Sequence, residues 1–389
     1  MVSPPDLREM IARLIAIPSI SSVNPEEDQA NRPVVDQLAE WLSGMGFAVE
    51  IQELPEAPGK ANLIATLGRG EGGLVLAGHT DTVPFDQGRW DSDPFRLCER
   101  DDKLYGLGTS DMKAFLALAI EAARGLRAQD LKQPLILLAT ADEESGMSGA
   151  RALLEAGRPR GRHAVIGEPT NLVPVRMHKG VMMESVRVIG RSGHSSDPAL
   201  GLNALDGMAA VLDALLRWRD ELRQRYRNAA FHVPEPTLNL GRICGGDNPN
   251  RICPEVELQL DIRPLPGMSL AELRDELERR VRQALGERPW GVELKPLFPG
   301  VEPLETPATA PIVQAAERLT GTSAMAAAFG TEAPYLQTLG ADVVVLGPGD
   351  IAQAHQPNEY LRMDRLTPTV DLLRQLIKDF CVNPTEAAE

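Results

Sequence analysis

The chain has 389 residues with 43% hydrophobic and 24% charged side chains, a balance that excludes disorder and leaves room for two or three domains of roughly 100–200 residues. The 40 Lys and Arg against 55 Asp and Glu give a net charge of −15, which argues against nucleic acid or membrane as the main partner, because phosphate neutralisation needs clustered cations. No apolar run approaches the roughly 20 residues of a membrane helix, Asp6 and Glu9 fall where a secretion signal needs basic residues, and Cys98, Cys244, Cys253 and Cys381 form no CxxC pair, so a cytoplasmic globular protein is expected.

Helical spacing runs over 5–16 and 33–46, with Gly46 as a stop. Short apolar runs at Leu63–Leu67, Leu74–Ala77, Leu135–Thr140 and Ala164–Ile166 read as strands, and a helix pattern from Asp111 to Leu126 separates the second from the third. Alternation of this kind predicts an α/β fold, a sheet covered by helices. Gly68-x-Gly70-x-x-Gly73 matches a dinucleotide-binding pattern, but a strand and not a helix follows it, so no helix N-terminus is offered to a pyrophosphate and the segment reads as a hairpin turn. Gly106–Lys113 is glycine-rich without the Gly-Lys-Ser/Thr ending of a phosphate loop.

The middle of the chain changes character. Met183–Ile189 reads as a strand, and Leu205, Met208, Leu212 and Leu215 as one face of a helix. In 256–263 Val256, Leu258, Leu260 and Ile262 alternate with polar residues, the pattern of a half-buried strand. Ser269 and Glu272 suggest a capping box before a helix carrying Leu273, Leu277, Val281 and Leu285. A β-α-β-β-α-β insert fits this stretch. The chain then returns to a strand over Asp342–Leu346 and a closing helix at 366–380, so a smaller α+β domain interrupts the α/β one.

Polar groups gather where strands end. His79-Thr80-Asp81 follows Leu74–Ala77, Asp111 opens a helix, Asp142-Glu143-Glu144 follows Leu135–Thr140, and Glu168 follows Ala164–Ile166. In open α/β sheets that edge is where ligand sites form. A lone His or Asp there is ordinarily a cap, but crowded carboxylates raise one another's pKa unless a cation neutralises them. Mixed nitrogen and oxygen donors without thiolate suit zinc or a similar divalent ion. His163 and His232 read as structural.

These residues, Gly78–Pro84, Gly106–Lys113 and Asp142-Glu143-Glu144, together with Ile166–Thr170, Gly193–Ser196, Asn250-Arg251-Ile252 and Ala354–Pro357, resemble the two-zinc amidohydrolase and metallopeptidase family along essentially the whole chain. Trp90, His178-Lys179-Gly180, Thr237–Gly241, Asp261–Gly267, Thr331–Pro334 and Gly347-Pro348-Gly349 look like its branch acting on N-acetylornithine. The resemblance implies a mixed-sheet zinc-peptidase-like catalytic domain formed by 1–179 and 298–389, and an inserted ferredoxin-like dimerisation domain over 180–297. It implies that Asp111 bridges two divalent ions, zinc with cobalt as a substitute, that His79 and Glu168 complete one site, and that Glu144 and His355 complete the other. Glu143 is then the general base, and Asp81 hydrogen-bonds the His79 ring. His194 reaches the partner subunit's active site in a homodimer, and Asn250 and Arg251 hold the substrate's carboxylate. The expected reaction is hydrolysis of N2-acetyl-L-ornithine in arginine biosynthesis. A succinyl-diaminopimelate desuccinylase, an acetylcitrulline deacetylase, an aminoacylase, a dipeptidase and a catalytically silent binding protein are the alternatives.

Overall fold

The computed structural model describes residues 3–384 and divides into two compact units. One takes the chain as far as Arg176, then Thr306–Met325 and everything from Thr331; the other comprises Met177–Glu305 and Ala326–Gly330.

The first unit is built on a mixed sheet. Six of its nine strands lie in the order Ala48–Glu53, Ala61–Leu67, Leu135–Thr140, Leu74–His79, His163–Ile166, Asp342–Val345. The last four run parallel, and the first two join antiparallel. Leu74–His79, Leu135–Thr140 and His163–Ile166 are buried at every residue, which explains why they read as continuous apolar runs: helices cover both faces of a parallel sheet. Helix Lys113–Ala123 is buried at every position except Glu121, an apolar-all-round helix of a core interior. Register decides the rest. His79 pairs with Thr140 and Ala77 with Ile166, so the residues that follow each strand emerge along one edge of the sheet. The Gly68–Gly73 segment is not the hairpin expected of it: Ala61–Leu67 and Leu74–His79 both pair with Leu135–Thr140, which lies between them.

The second unit runs strand, helix, strand, strand, helix, strand, namely Met182–Ile189, Ala204–Arg225, Thr237–Gly245, Glu255–Arg263, Leu270–Leu285 and Gly291–Pro296. Its four strands form one antiparallel sheet, with Thr237–Gly245 at one edge and Gly291–Pro296 at the other. Glu255–Arg263 alternates as expected, burying Val256, Leu258, Leu260 and Ile262. Two expectations fail in detail. Leu205 is 47% exposed, because the buried face is the stripe of Met208, Val211, Leu215, Trp218 and Leu222. Ser269 is the N-cap residue of Leu270–Leu285 but makes no side-chain cap. The Glu302 carboxylate accepts the Leu270 N–H instead, at 3.2 and 3.3 Å, an acid at a helix N-terminus doing what the box would have done.

His178 is fully buried in this unit, and its Nδ1 lies 2.9 Å from the Lys179 carbonyl oxygen. Burial holds its pKa down to about 4. Below the unfolded value near 6.5 the unfolded chain binds a proton that the native state refuses, so stability falls as pH drops from about 6.5 toward 4. Urea unfolding of His178→Gln across that window is expected to flatten the profile by about 3 kcal/mol relative to wild type. An unchanged slope would exclude His178 as the source.

Candidate metal centre

Every group expected at the strand ends lies in the first unit. His79, at the end of its strand, is 1% exposed. Its Nε2 is 3.1 Å from Asp111 Oδ1 and 3.9 Å from Glu168 Oε1. His355 Nε2 lies 3.4 Å from Asp111 Oδ2 and 3.1 Å from Glu144 Oε2. Asp111 therefore has an imidazole beside each of its carboxylate oxygens. Ligand atoms of His79, Glu143 and Glu168, and of His79, Asp111 and Glu144, fall within 4.8 Å of one another. The His355 side chain is 54% exposed, so the cluster opens to solvent on that side.

Glu168 sits behind a glycine for a steric reason. A Cβ on Gly167 would come within 2.0 Å of the Phe115 ring, so only glycine lets that strand end pass over the buried helix. Asp142 opens the acidic turn in the left-handed region at φ +58°, a conformation that needs support from its surroundings. The support is a buried network. Asp142 Oδ1 accepts from Ser21 Oγ at 2.9 Å and pairs with Lys60 Nζ at 2.7 Å, while Oδ2 accepts from Ser148 Oγ at 2.5 Å. Lys60, 3% exposed at its side chain, also pairs with Asp28 at 2.7 Å.

The electrostatics follow from burial. Burial, and then the neighbouring acids, raise Glu143, Glu144 and Glu168 above the usual carboxylate range. Burial opposes the Asp111 charge too, but hydrogen bonds from His355 and His79 outweigh it and hold the carboxyl low. Hydrogen bonds to Asp111 and Glu144 lift His355 to about 10. The cluster demands positive charge. Glu144 Oε1 and Glu168 Oε1 are buried without a hydrogen-bond partner, lone pairs that a divalent cation would use. Carboxylate and imidazole donors with no thiolate fit such an ion.

Asp81 acts differently from expectation. The His79 Nδ1 lies 3.0 Å from the main-chain oxygen of Asp81, whereas the carboxylate Oδ1 is 3.7 Å away. A carbonyl accepting from Nδ1–H leaves Nε2 free to ligate. The Asp81 carboxylate accepts the Glu144 N–H at 3.1 Å, which ties the His79 strand end to the acidic turn. The remaining expected residues lie in the second unit. His194 is exposed, its Nδ1 2.7 Å from Ser196 Oγ. It forms a β-bridge with Arg251, and the Ser195 N–H donates to the Asn250 carbonyl at 3.1 Å. The Arg251 guanidinium pairs with Asp247. The spacing of motifs did not single out Lys60, or Glu359, whose buried carboxylate accepts from the N–H groups of Ser110 and Asp111 at 2.6 and 3.0 Å. The one signal was an acid four residues beyond His355.

With this geometry established, the family model described as peptidase family M20/M25/M40 matches residues 75–379. The chain belongs to peptidase family M20/M25/M40. Within that family it is 48% identical over 97% of its length, and 98% of the relative's, to an acetylornithine deacetylase of Pasteurella multocida (strain Pm70). It is 49% identical, with the same coverage of both chains, to an acetylornithine deacetylase of Edwardsiella ictaluri (strain 93-146). Its fold is also that of a Bacillus subtilis protein described as a dinuclear metal binding peptidase from the M20 family, with a TM-score of 0.66 at 17% identity over 95% of this chain and 96% of that one. The chain is an amidohydrolase of this M20 fold.

Lys60→Met should leave the buried Asp142 carboxylate, at the start of the acidic turn, without its cation. Removing one partner of a buried pair costs roughly 3 kcal/mol or more, a loss expected in urea unfolding of the metal-free protein. A change below about 0.5 kcal/mol, the size of an exposed-pair effect, would mean that the pair does not hold the turn.

Proposed function

We propose that this chain hydrolyses N2-acetyl-L-ornithine to acetate and L-ornithine. The observation that carries the reading is the near full-length identity of 48–49% to acetylornithine deacetylases in a chain whose acids and imidazoles form a cation-demanding cluster. Asp111 would hold two cations between them, with His79 and Glu168 on one and Glu144 and His355 on the other. Zinc is the ion the nitrogen and oxygen donors favour, with cobalt able to replace it. Ions held there would supply the chemistry of lowering the pKa of a neighbouring water and stabilising negative charge on the acyl oxygen.

The protein's own groups do the rest. Glu143, held high by burial and by Glu144 and Asp111, takes a proton from the attacking water and returns it to the departing α-amine. Asp81 sets His79 through its carbonyl and Glu144 through its carboxylate. Asn250 and Arg251 receive the substrate carboxylate, for which a planar guanidinium is suited. His194 donates to the acyl oxygen from a partner subunit. A homodimer through the inserted unit is supported by the edge strand Thr237–Gly245, which among the described residues pairs on one side only and leaves Ile243 52% exposed. All four cysteines are free, in keeping with a reducing cytoplasm, and the product amino acid suits arginine biosynthesis. Among the described residues no helix is long and apolar enough to cross a membrane.

Release of amine from N2-acetyl-L-ornithine, succinyl-diaminopimelate, N-acetylcitrulline and a dipeptide, with and without added zinc or cobalt, tests this directly. Metal-dependent turnover favouring acetylornithine is expected; preference for another substrate moves the chain to a sister activity, and no turnover of any of them overturns the reading. Glu143→Ala is expected to keep both ions in elemental analysis and lose about 10²–10⁴-fold in kcat. Co-refolding Glu143→Ala with His194→Ala should restore activity that neither has alone, because one site of the mixed dimer regains both groups. Absence of recovery would place His194 in its own subunit's chemistry or outside it.

A further inference from the structure

The loop that presents Asp111 and the loop that presents His355 are clipped together at two points. At the first, Ser110 Oγ accepts the Asp350 N–H at 3.0 Å and donates to the Asp350 carbonyl oxygen at 3.3 Å. At the second, the Glu359 carboxylate, 1% exposed, receives three main-chain N–H groups from the Asp111 loop. Oε1 accepts from Ser110 at 2.6 Å and from Asp111 at 3.0 Å, and both oxygens share the Gly108 N–H at 3.1 and 3.0 Å. The Glu359 carbonyl oxygen also accepts the Gly106 N–H at 3.1 Å. The zip continues into the pairing of Tyr360 with Tyr105. Among the described residues nothing comparable holds His355 itself, which is exposed, stands at φ +59° and meets the cluster through its ring.

We propose that Glu359 is a positioning residue that sets the spacing between Asp111 and His355, and so governs affinity for the ion that Asp111, Glu144 and His355 would share, more than for the ion held with His79 and Glu168. The inference rests on the two-ion reading above. Its physical basis is asymmetry of support. His79 is fixed by its strand and by the Asp81 carbonyl, and Glu168 by its own strand end. His355 depends on a loop whose two ends are fastened to residues 106–111.

The test is stepwise zinc binding to metal-free wild type, Glu359→Ala, Glu359→Asp and Glu359→Gln, by competition with a chromophoric chelator and elemental analysis, with circular dichroism of the metal-free proteins. Wild type is expected to bind two ions. Glu359→Ala and Glu359→Asp should retain the first and bind the second about 10–100-fold more weakly, the usual cost of losing an outer partner. Glu359→Gln keeps an oxygen for the three N–H groups and should stay within a few-fold of wild type. Two ions bound with unchanged affinities by folded Glu359→Ala, or parallel loss of both, overturn the proposal. If Glu359→Ala does not fold, equal second-ion affinities for Glu359→Asp and Glu359→Gln overturn it. Fewer than two ions in wild type overturns the two-ion reading and this inference with it.

Discussion

Five acids, Asp81, Asp111, Glu143, Glu144 and Glu168, crowd one edge of a buried parallel sheet beside two imidazoles. Like charges at that density raise one another and stay ionised only against positive charge. Much of the first unit serves this constraint. The fully buried strands fix where each group leaves the sheet, and their register brings residues distant in sequence to one line. Apolar cover on both faces of the sheet limits the water that reaches the interaction from within, while the His355 side opens to solvent. The same low dielectric makes any unsupported member costly, so each acid-bearing segment carries its own brace.

The parts legible from sequence are those that depend on short-range pattern. Leu135–Thr140 could be read as a buried strand because all its residues are apolar or small, and Glu255–Arg263 as a half-buried one because its polarity alternates at the strand period. Strand ends followed by His or acid located the candidate centre for the same reason. What escaped depended on partners far away in the chain. Glu302 replaces Ser269 as the cap of Leu270–Leu285 from beyond that helix's far end. The Gly68–Gly73 segment reads as a hairpin only while Leu135–Thr140, some 60 residues later, is left out of the sheet order. Asp81 shows a subtler limit: residue identity suggested a carboxylate on the histidine, but the carbonyl of the same residue was nearer. Main-chain atoms carry no signature in a residue pattern.

The buried charges behind the acid edge divide by what they hold. Lys60 pairs with Asp142 at the start of the acidic turn and with Asp28, compensating both carboxylates. Lys113, also buried, has its ammonium on the Ile17 carbonyl at 2.9 Å, and burial lowers its pKa to about 7. Both cations brace the scaffold and neither forms an ion pair with Glu143, Glu144, Glu168 or Asp111 among the described residues.

That placement follows from the chemistry the edge must perform. A fixed ammonium in contact with Asp111 would satisfy its charge permanently and compete with any divalent ion for the same oxygens. The Asp111 loop is braced differently, by the buried Glu359 carboxyl group accepting from neutral N–H groups. Amide dipoles give Glu359 the hydrogen bonds that a buried carboxylate requires without placing a formal positive charge beside the ligands. The carboxylate of Asp111 is therefore held in place through its own main chain, leaving both of its oxygens free to face the imidazoles and whatever cation lies between them.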